Sequence, residues 1–568
     1  MNILGIYGYD PKNPKRGYRH NGGAALVADD GTVLSAIEEE RLSRIKNDAV
    51  YPTLAIEQLA NEHPFDHIAL AGLQRTSFLS TAIRNYQTWR QHATTPAEKK
   101  HFLNRILNFY IATLGAAILN LPNKPAHLTQ PMQRFHHHDA HAASAYYCCP
   151  WPDEDVLIIT LDGAGDGLCG RVEIGRDGQR IHQIDIPQLH SIGAIYSMFT
   201  AHLGFKPHRH EGKVLGLAAY GNPQLLANKL MAHIHLEGDF PTFDATLLKV
   251  AYGRFAHETL NDLIGSLSRE DIAAGLQHFT EKTITHFVQH WVRKTDIHKL
   301  ALAGGVFSNV KLNQRILELE CVDNLYIQPN MGDGGLAVGA ALAQIATQKQ
   351  TLKPKFLSTA YLGQDITLEA ATAALHHQSL DFSHPTDMAE AVATLLASGK
   401  VVARAAGRME FGPRALGNRT LFASCSDEKI NQWLNDKLQR TEFMPFAPII
   451  MEEHAAEYFP AWEPEHVMAR FMTITYDASE IARKNIPAAV HVDGTARPQV
   501  LREEDNPEVY AILRAYYAKT GVPALINTSF NMHEEPIVCS AADAVRAFQL
   551  GHLDALICGP LLCVAKQP

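Results

Sequence analysis

The sequence predicts an α/β protein built from more than one domain, and three observations carry that prediction. The chain has 568 residues, too many for one hydrophobic core at roughly 100–200 residues per domain. Its first half repeats a unit of strand, glycine-rich turn and hairpin. A polar stretch from Gln344 to Lys355 then separates that half from a second region with apolar runs of its own.

The first copy begins with Met1 to Gly8, a strand entering a glycine turn. Ala24 to Ala28 follows, then Asp29-Asp30-Gly31, then the apolar run Thr32 to Ile37. An Asp-Gly pair between two such runs is a hairpin signal. In the second copy Val156 to Leu161 reads as a buried strand and Asp162 to Gly167 as a turn. Gly170 to Ile174 then pairs with Ile181 to Ile186 across Asp177-Gly178. Actin, hexokinase and the heat-shock ATPases share this duplicated plan, which is an analogy of fold and not of function. Residues 96–120 read as a helix, with Phe102, Ile106, Phe109, Ile111 and Leu114 near a 3.6-residue spacing, and residues 270–295 read likewise. Both are expected as insertions around the core. The expected domains are 1–350, a linker at 351–362, and 363–568.

Composition narrows the function. Hydrophobic residues make up 46% and charged residues 20%, a globular profile. The formal net charge of −9, from 51 basic and 60 acidic side chains, disfavours a nucleic-acid partner, because such proteins grip phosphate backbones with excess positive charge. No apolar run approaches the ~18 residues of a membrane span. The first residues lack a signal-peptide pattern. The 8 cysteines are scattered without a CxxC pair, so neither a disulfide framework nor a zinc knuckle is expected, and the expected location is cytoplasmic.

Several segments can carry chemistry. Phe135-His136-His137-His138-Asp139-Ala140-His141 runs into an alanine-rich, helix-favouring tail. His137 and His141 are four apart, so they share a helix face and can bind one metal. HExxH chemistry is disfavoured, because His138 follows His137 where a glutamate would be needed. Asp162 ends a buried strand, and Asp333 lies in a glycine turn before the small-residue helix Leu336 to Ala343. Carboxylates at such strand ends suit phosphate and metal sites. Two histidines and two aspartates fit Fe(II), Mn(II) or Zn(II), with the identity open. Gly304-Gly305, after the apolar run Leu300 to Leu302 and before Asn309, lets a backbone approach a bulky ligand beside a helix N-terminus. With the other glycine turns it suggests a nucleotide cleft. Gly407 to Arg419 places three arginines in twelve residues, interleaved with Phe411 and Leu416, a pattern that can hold a planar oxyanion. Val492 to Gln499 and Ile526 to Asn531 are further polar loops after apolar runs.

Taken together, these segments resemble the NodU/CmcH family of carbamoyltransferases over nearly the whole chain. The specific stretches are His20 to Ala25, Glu38 to Arg41 with Ser43, Arg44 and Lys46, His137 to Ala145, Gly212 to Gly221, Gly407 to Arg419, Pro445 to Pro448, Asp493 to Pro498 and Asn527 to Asn531. The resemblance implies an N-terminal domain of TsaD type and a YrdC-like C-terminal domain. It implies an ATP-dependent O-carbamoyltransferase, working with Mg and carbamoyl phosphate through carbamoyl-adenylate. The acceptor would be a hydroxyl of a small molecule in antibiotic or other natural-product biosynthesis. His137, His141, Asp162 and Asp333 would hold a divalent metal, with Fe(II) expected, and His20 would be the general base. Lys46 and Lys213 would join Gly304, Gly305, Asn309 and Asp333 around the nucleotide. Arg408, Arg414, Lys437, Arg440, Arg497, Asn527 and Ser540 would bind carbamoyl phosphate and the phosphates of ATP. A homodimer is compatible with the resemblance. Two departures stand out: Met444 occupies the place of the family's arginine before Pro445, with Lys437 one position early and Leu438 in the lysine's place, and Asn21-Gly22-Gly23 follows His20 where many relatives have Asp and Ser. The rival readings are a tRNA threonylcarbamoyl-type transferase and a non-enzymatic, actin-like nucleotide-binding regulator.

Overall fold

A computed structural model describes residues 1–8, 20–72, 128–252, 256–437 and 444–566. The expected helix at 96–120, and Leu438 and Arg440, lie outside the described residues. The chain divides into two compact units, Met1–Leu34 with Ala49–Leu357, and Ser35–Asp48 with Ser358–Pro568.

The first unit holds two five-stranded sheets. One comprises β1 (Asn2–Tyr7), β2 (Gly23–Ala28), β3 (Val33–Glu38), β4 (His67–Ala71) and β5 (Met132–Phe135), in the order β3-β2-β1-β4-β5. The other comprises β6 (Val156–Gly165), β7 (Leu168–Arg176) and β8 (Gln179–Pro187). After a short ribbon of β9 (Ile234–His235) and β10 (Thr242–Phe243), it is completed by β11 (Lys299–Ala303) and β12 (Asn324–Ile327), in the order β12-β11-β6-β7-β8. Counted from its own first strand, each sheet has the same order. In each, the first strand is antiparallel to the next strand in sequence and parallel to the fourth, and the fourth is parallel to the fifth. The duplication read from the turns is therefore a duplication of topology, the plan of the actin and hexokinase type. Val156 to Ile159 and Leu300 to Ala303 are wholly buried, which is why they read as continuous apolar runs: strands in parallel pairs are covered on both faces.

The Asp177-Gly178 turn has φ of 51° and 74°, the double left-handed geometry whose twist matches a hairpin and which Asp-Gly tolerates. Two boundaries differ from the sequence reading. The turn expected at Asp162 to Gly167 is shorter, because β6 continues to Gly165 through a register irregularity between Leu161 and Gly165. Such a bulge bends the strand and re-aims its side chains. Gln344 to Lys349, the start of the polar stretch read as separating the two halves, forms the end of the Leu336–Lys349 helix, and the chain turns at Gln350 with φ of 65°, just before the expected linker at 351–362. Gln344 and Ile345 are still buried, and straight-chain polar residues extend a helix at little cost. The expected second helix spans Arg269–Thr295, with the Ser268 side chain accepting from the Asp271 N–H.

The second unit is built on a seven-stranded mixed sheet. Its strands include β13 (Val402–Ala405), β14 (Arg419–Ala423) and β15 (Ala447–Met451). A ribbon of β16 (Tyr476–Asp477) and β17 (Thr495–Ala496) precedes β18 (Gln499–Leu501), β19 (Ala524–Ser529), β20 (Ala555–Cys558) and β21 (Leu561–Val564). The order is β18-β15-β19-β14-β13-β20-β21. Val402, Phe422, Ile449, Leu525 and Ile557 of this sheet pack with Val392 and Leu396 of one helix and Val509, Leu513 and Tyr516 of another. Residues 35–48, although early in sequence, are stitched into this unit. The Ala36 N–H donates to Leu362 O at 3.1 Å, and Arg44 donates to Ile537 O at 2.7 Å and Pro536 O at 2.9 Å. Among the described residues no helix is long and apolar enough to cross a membrane.

Candidate active site

The His137–Tyr147 helix starts at His136, whose ring nitrogen accepts the His138 N–H at 3.2 Å. One turn separates His137 from His141, so both rings leave the same face near the helix N-terminus. The Leu336–Lys349 helix lies against this one at backbone distance: a Cβ on Gly339 would stand 1.8 Å from the Ala140 carbonyl oxygen. Only glycine permits that approach, and it brings the Asp333–Gly335 turn to the two histidines. Asp162, at the bulge in β6, closes the cluster.

His137 Nε2 lies 3.2 Å from Asp162 Oδ2 and 3.5 Å from Asp333 Oδ1, and His141 Nε2 lies 3.3 Å and 3.7 Å from the same atoms. The four donor atoms all fall within 4.8 Å of one another. Donors about 2.0–2.2 Å from a central cation stand about 3.3–3.6 Å apart at the edges of a tetrahedron, so nitrogen and oxygen donors are already near cation-holding separations. The borderline N₂O₂ set suits a first-row divalent metal. The electrostatics agree. Burial resists ionisation of Asp162, but its hydrogen bonds with His137 and His141 hold its carboxyl well below the usual range. Burial likewise opposes ionisation of Asp333, and the His137 charge brings it down. For His141, burial works against the charged form, yet Asp162 and Asp333 raise it to about 9. A metal would take the place of that proton. His138 is different: burial drives it well below the ordinary value, and its Nδ1 sits 2.9 Å from Thr160 Oγ1. Its ring stands edge-on to that of His137, with centroids 5.2 Å apart.

Gly304, Gly305 and His20, among the other expected residues, adjoin the cluster. A Cβ on Gly304, whose φ is 106°, would lie 2.1 Å from Leu161 O, and one on Gly305 would lie 3.0 Å from Asp162 Oδ1. The glycine turn therefore runs directly along the end of β6. His20 Nδ1 is 2.9 Å from Asn21 Oδ1, and His20 lies close enough to Asp333 to be among the groups that lower its pKa. Lys213 is buried on the Glu211–Ala218 helix. Asn309 caps the Val310–Leu317 helix through the Leu312 N–H and donates to Gln277 Oε1 at 2.8 Å. Lys46 belongs to the second unit, where it pairs with Glu40 at 3.1 Å. Burial lowers its pKa against the pull of that carboxylate.

Sequence reading missed His208. Its ring lies 6.2 Å from that of His20. Its backbone has φ of 63°, uncommon outside glycine, with the N–H on Glu211 Oε1 at 2.6 Å and that carboxylate held in turn by Ser197 Oγ at 2.8 Å. Burial lowers its pKa, and Asp162 and Asp333 are among the charges that oppose the shift. The available signal was Lys206-Pro207-His208-Arg209-His210 directly before the Gly212-Lys213 motif.

In the second unit the arginines separate by role. Arg419 is fully buried and donates to the carbonyl oxygens of Gln364, Ala406, Gly407, Asn418 and Cys539. Arg408 donates to Leu362 O at 2.7 Å and Gly363 O at 3.2 Å. Glu410 Oε1 accepts the N–H groups of Leu416, Asn418 and Arg419 at 2.8, 2.7 and 3.1 Å, which folds the loop back on itself. Arg414 is the exception. Its Nε is buried without a hydrogen-bond partner, and burial together with the charge of Arg497 holds its pKa well below the usual guanidinium range. Two cations near each other in a desolvated place call for an anion. Asn527 donates to Gln499 Oε1 at 2.6 Å and Ala415 O at 3.1 Å. Ser540 is the N-cap of the Ala541–Leu550 helix, and the Lys437 ammonium lies 5.4 Å from the Trp433 ring centroid.

The chain thus joins a duplicated α/β unit holding a buried His–Asp cluster to a second α/β unit with buried arginines. Residues 15–342 match the family described as carbamoyltransferase N-terminus, and residues 393–565 the one described as carbamoyltransferase C-terminus. The chain belongs to this carbamoyltransferase family. It is 31% identical to nodulation protein NolNO of Sinorhizobium fredii over 96% of this chain and 79% of that protein. It is 33% identical to nodulation protein NolO of Bradyrhizobium diazoefficiens over 76% and 79%. Among solved structures, T. kodakarensis HypF is similar over 62% of this chain and 49% of that one, at 12% identity and a TM-score of 0.35.

Proposed function

We propose that the protein is an ATP-dependent O-carbamoyltransferase that makes carbamoyl-adenylate from carbamoyl phosphate and passes the carbamoyl group to a hydroxyl of a small natural product. The observation that carries the reading is the convergence of His137, His141, Asp162 and Asp333 on one point in a chain of this family. In this reading the second unit is the YrdC-like half. Arg414 and Arg497 bind the phosphate of carbamoyl phosphate, with Arg408, Asn527, Ser540, Lys437 and Arg440 as the further candidates. Water cleaves carbamoyl phosphate there to carbamate and inorganic phosphate; a carbamate oxygen then bonds to the α-phosphorus of ATP and pyrophosphate leaves, with Mg on the ATP phosphates. The first unit is the TsaD-like half and performs the transfer.

The residues fit a divalent metal, taken here as Fe(II), held by the two Nε2 atoms, Asp162 Oδ2 and Asp333 Oδ1. Bound, it would supply positive charge that orients the adenylate phosphate and offsets its charge. The chain's own residues do the rest. With Asn21 Oδ1 accepting the Nδ1 proton of His20, the ring's lone pair lies on Nε2, the correct tautomer for a base. His20 Nε2 takes the proton of the acceptor hydroxyl. The freed oxygen bonds to the carbamoyl carbon, the bond from that carbon to the phosphate oxygen breaks, and AMP leaves. Gly304 and Gly305 let the nucleotide approach the backbone, with Lys213 and Asn309 as further nucleotide-side candidates in the first unit, and Lys46 is a phosphate-contact candidate in the second. Exclusion of water protects the labile adenylate.

The test is incubation with carbamoyl phosphate, ATP and Mg, following AMP, pyrophosphate and carbamoylated product over a panel of polyhydroxylated acceptors. Adenylate chemistry is expected in the native protein. His20→Ala is expected to keep nucleotide binding and lose transfer. No AMP or pyrophosphate with any divalent metal would overturn the reading.

A further inference from the structure

Asp333 has two carboxylate oxygens with different tasks. Oδ1 faces His137 and His141, whereas Oδ2 accepts a hydrogen bond from the Tyr7 hydroxyl. Tyr7 is the last residue of β1, in the first of the two duplicated sheets, while the other donors come from the second sheet and the helices packed against it. The Tyr7 side chain is 1% exposed, and its ring stands edge-on to His137 with centroids 6.2 Å apart at 73°. One side chain therefore fixes a carboxylate from behind and braces an imidazole from the side. A phenol donating to one oxygen keeps a carboxylate monodentate. It also draws charge from the other oxygen and fixes the plane in which that oxygen is offered. Asp162 has an analogous restraint, since its Oδ1 accepts the Gly163 N–H at 2.6 Å while Oδ2 faces the histidines. Both carboxylates are thus restrained to one inward oxygen apiece, which leaves room on a cation for a further ligand.

We propose that Tyr7 is a positioning residue of the cation site, holding Asp333 as a monodentate ligand and so keeping coordination positions open for a substrate oxygen. This rests on the cation site proposed above, and the two can fail separately. The probe is Co(II) alone, added to the full chain and followed by calorimetry and by its visible spectrum. Tyr7→Phe keeps the ring and removes the hydroxyl. It is expected to weaken Co(II) binding about 10–100-fold, with a changed visible spectrum and a urea midpoint close to native. In an Asp333→Asn background, where the carboxylate is gone, the same change is expected to weaken residual Co(II) binding by less than about threefold. Equal weakening in both backgrounds, or native affinity in Tyr7→Phe, overturns the proposal. If Tyr7→Phe does not fold, a crystal structure of the Co(II)-loaded native protein decides. Asp333 bound through Oδ1 alone, with Oδ2 on Tyr7, upholds the proposal, and both oxygens on the metal overturn it. A native protein that binds no Co(II) overturns the cation site and this role with it.

Discussion

The His–Asp cluster of the first unit and the arginine loop of the second are both buried and polar, but they solve opposite problems. In the cluster, imidazoles and carboxylates satisfy one another while leaving donor atoms at cation-holding distances. In the loop, Arg419 spends its guanidinium on carbonyl oxygens and Glu410 gathers backbone N–H groups, so most of the charge builds the loop. Arg414 is left beside Arg497 with a buried nitrogen unmet. Neighbouring arginines in sequence can therefore have opposite thermodynamic signs. A structural charge is stabilising because its partners are in place, whereas a binding charge is kept at a cost that only its ligand relieves.

The largest effect expected is on the cluster itself. Asp162→Asn removes the carboxylate shared by both histidines and is expected to weaken divalent-cation binding by more than about 100-fold, measured by calorimetry. A loss below tenfold would mean that Asp162 is not a ligand. The contrast within the loop comes next. Arg419→Met strands several buried carbonyl oxygens and is expected to destabilise the second unit by about 3–5 kcal/mol. Arg414→Met is expected to leave stability unchanged or raise it by ~1 kcal/mol while abolishing carbamoyl phosphate binding. Urea unfolding of the two variants decides it, and similar destabilisation in both would erase the distinction. The smallest effect is a pH dependence. His141 is raised to about 9 in the metal-free protein, so its contribution is complete below the unfolded value of about 6.5 and is lost as pH rises through about 9. Asp162 is depressed, so its contribution is lost only in acid. Metal-free protein is therefore expected to lose up to ~3 kcal/mol between pH 6.5 and 9.5. Metal-loaded protein, with His141 already deprotonated, should not show that loss. Denaturant midpoints with and without chelator would show it, and a flat metal-free profile would contradict it.

Local signals were legible where one element carried the whole message. His137 and His141 share a helix face by spacing alone, and the Asp177-Gly178 hairpin is written in two residues. The duplicated sheet followed from two such units in register. Less was legible in loops. Three arginines within twelve residues looked alike, yet the direction of each side chain depends on which carbonyls surround it. His208 escaped notice because its closeness to His20 joins residues 188 positions apart in the chain.

By itself, then, the sequence determined the strands and hairpins, the paired histidines, and the family to which the chain belongs, because periodicity, turn chemistry and motif spacing act over a few residues. Tertiary structure decided the rest: that Gly339 lets two helices touch and carries Asp333 to the histidines, that residues 35–48 fold with the second unit, that Tyr7 rather than a neighbour meets Asp333, and which arginine of the loop keeps a buried Nε unmet. These outcomes depend on distances between segments remote in sequence, and such distances are set only when the cores pack.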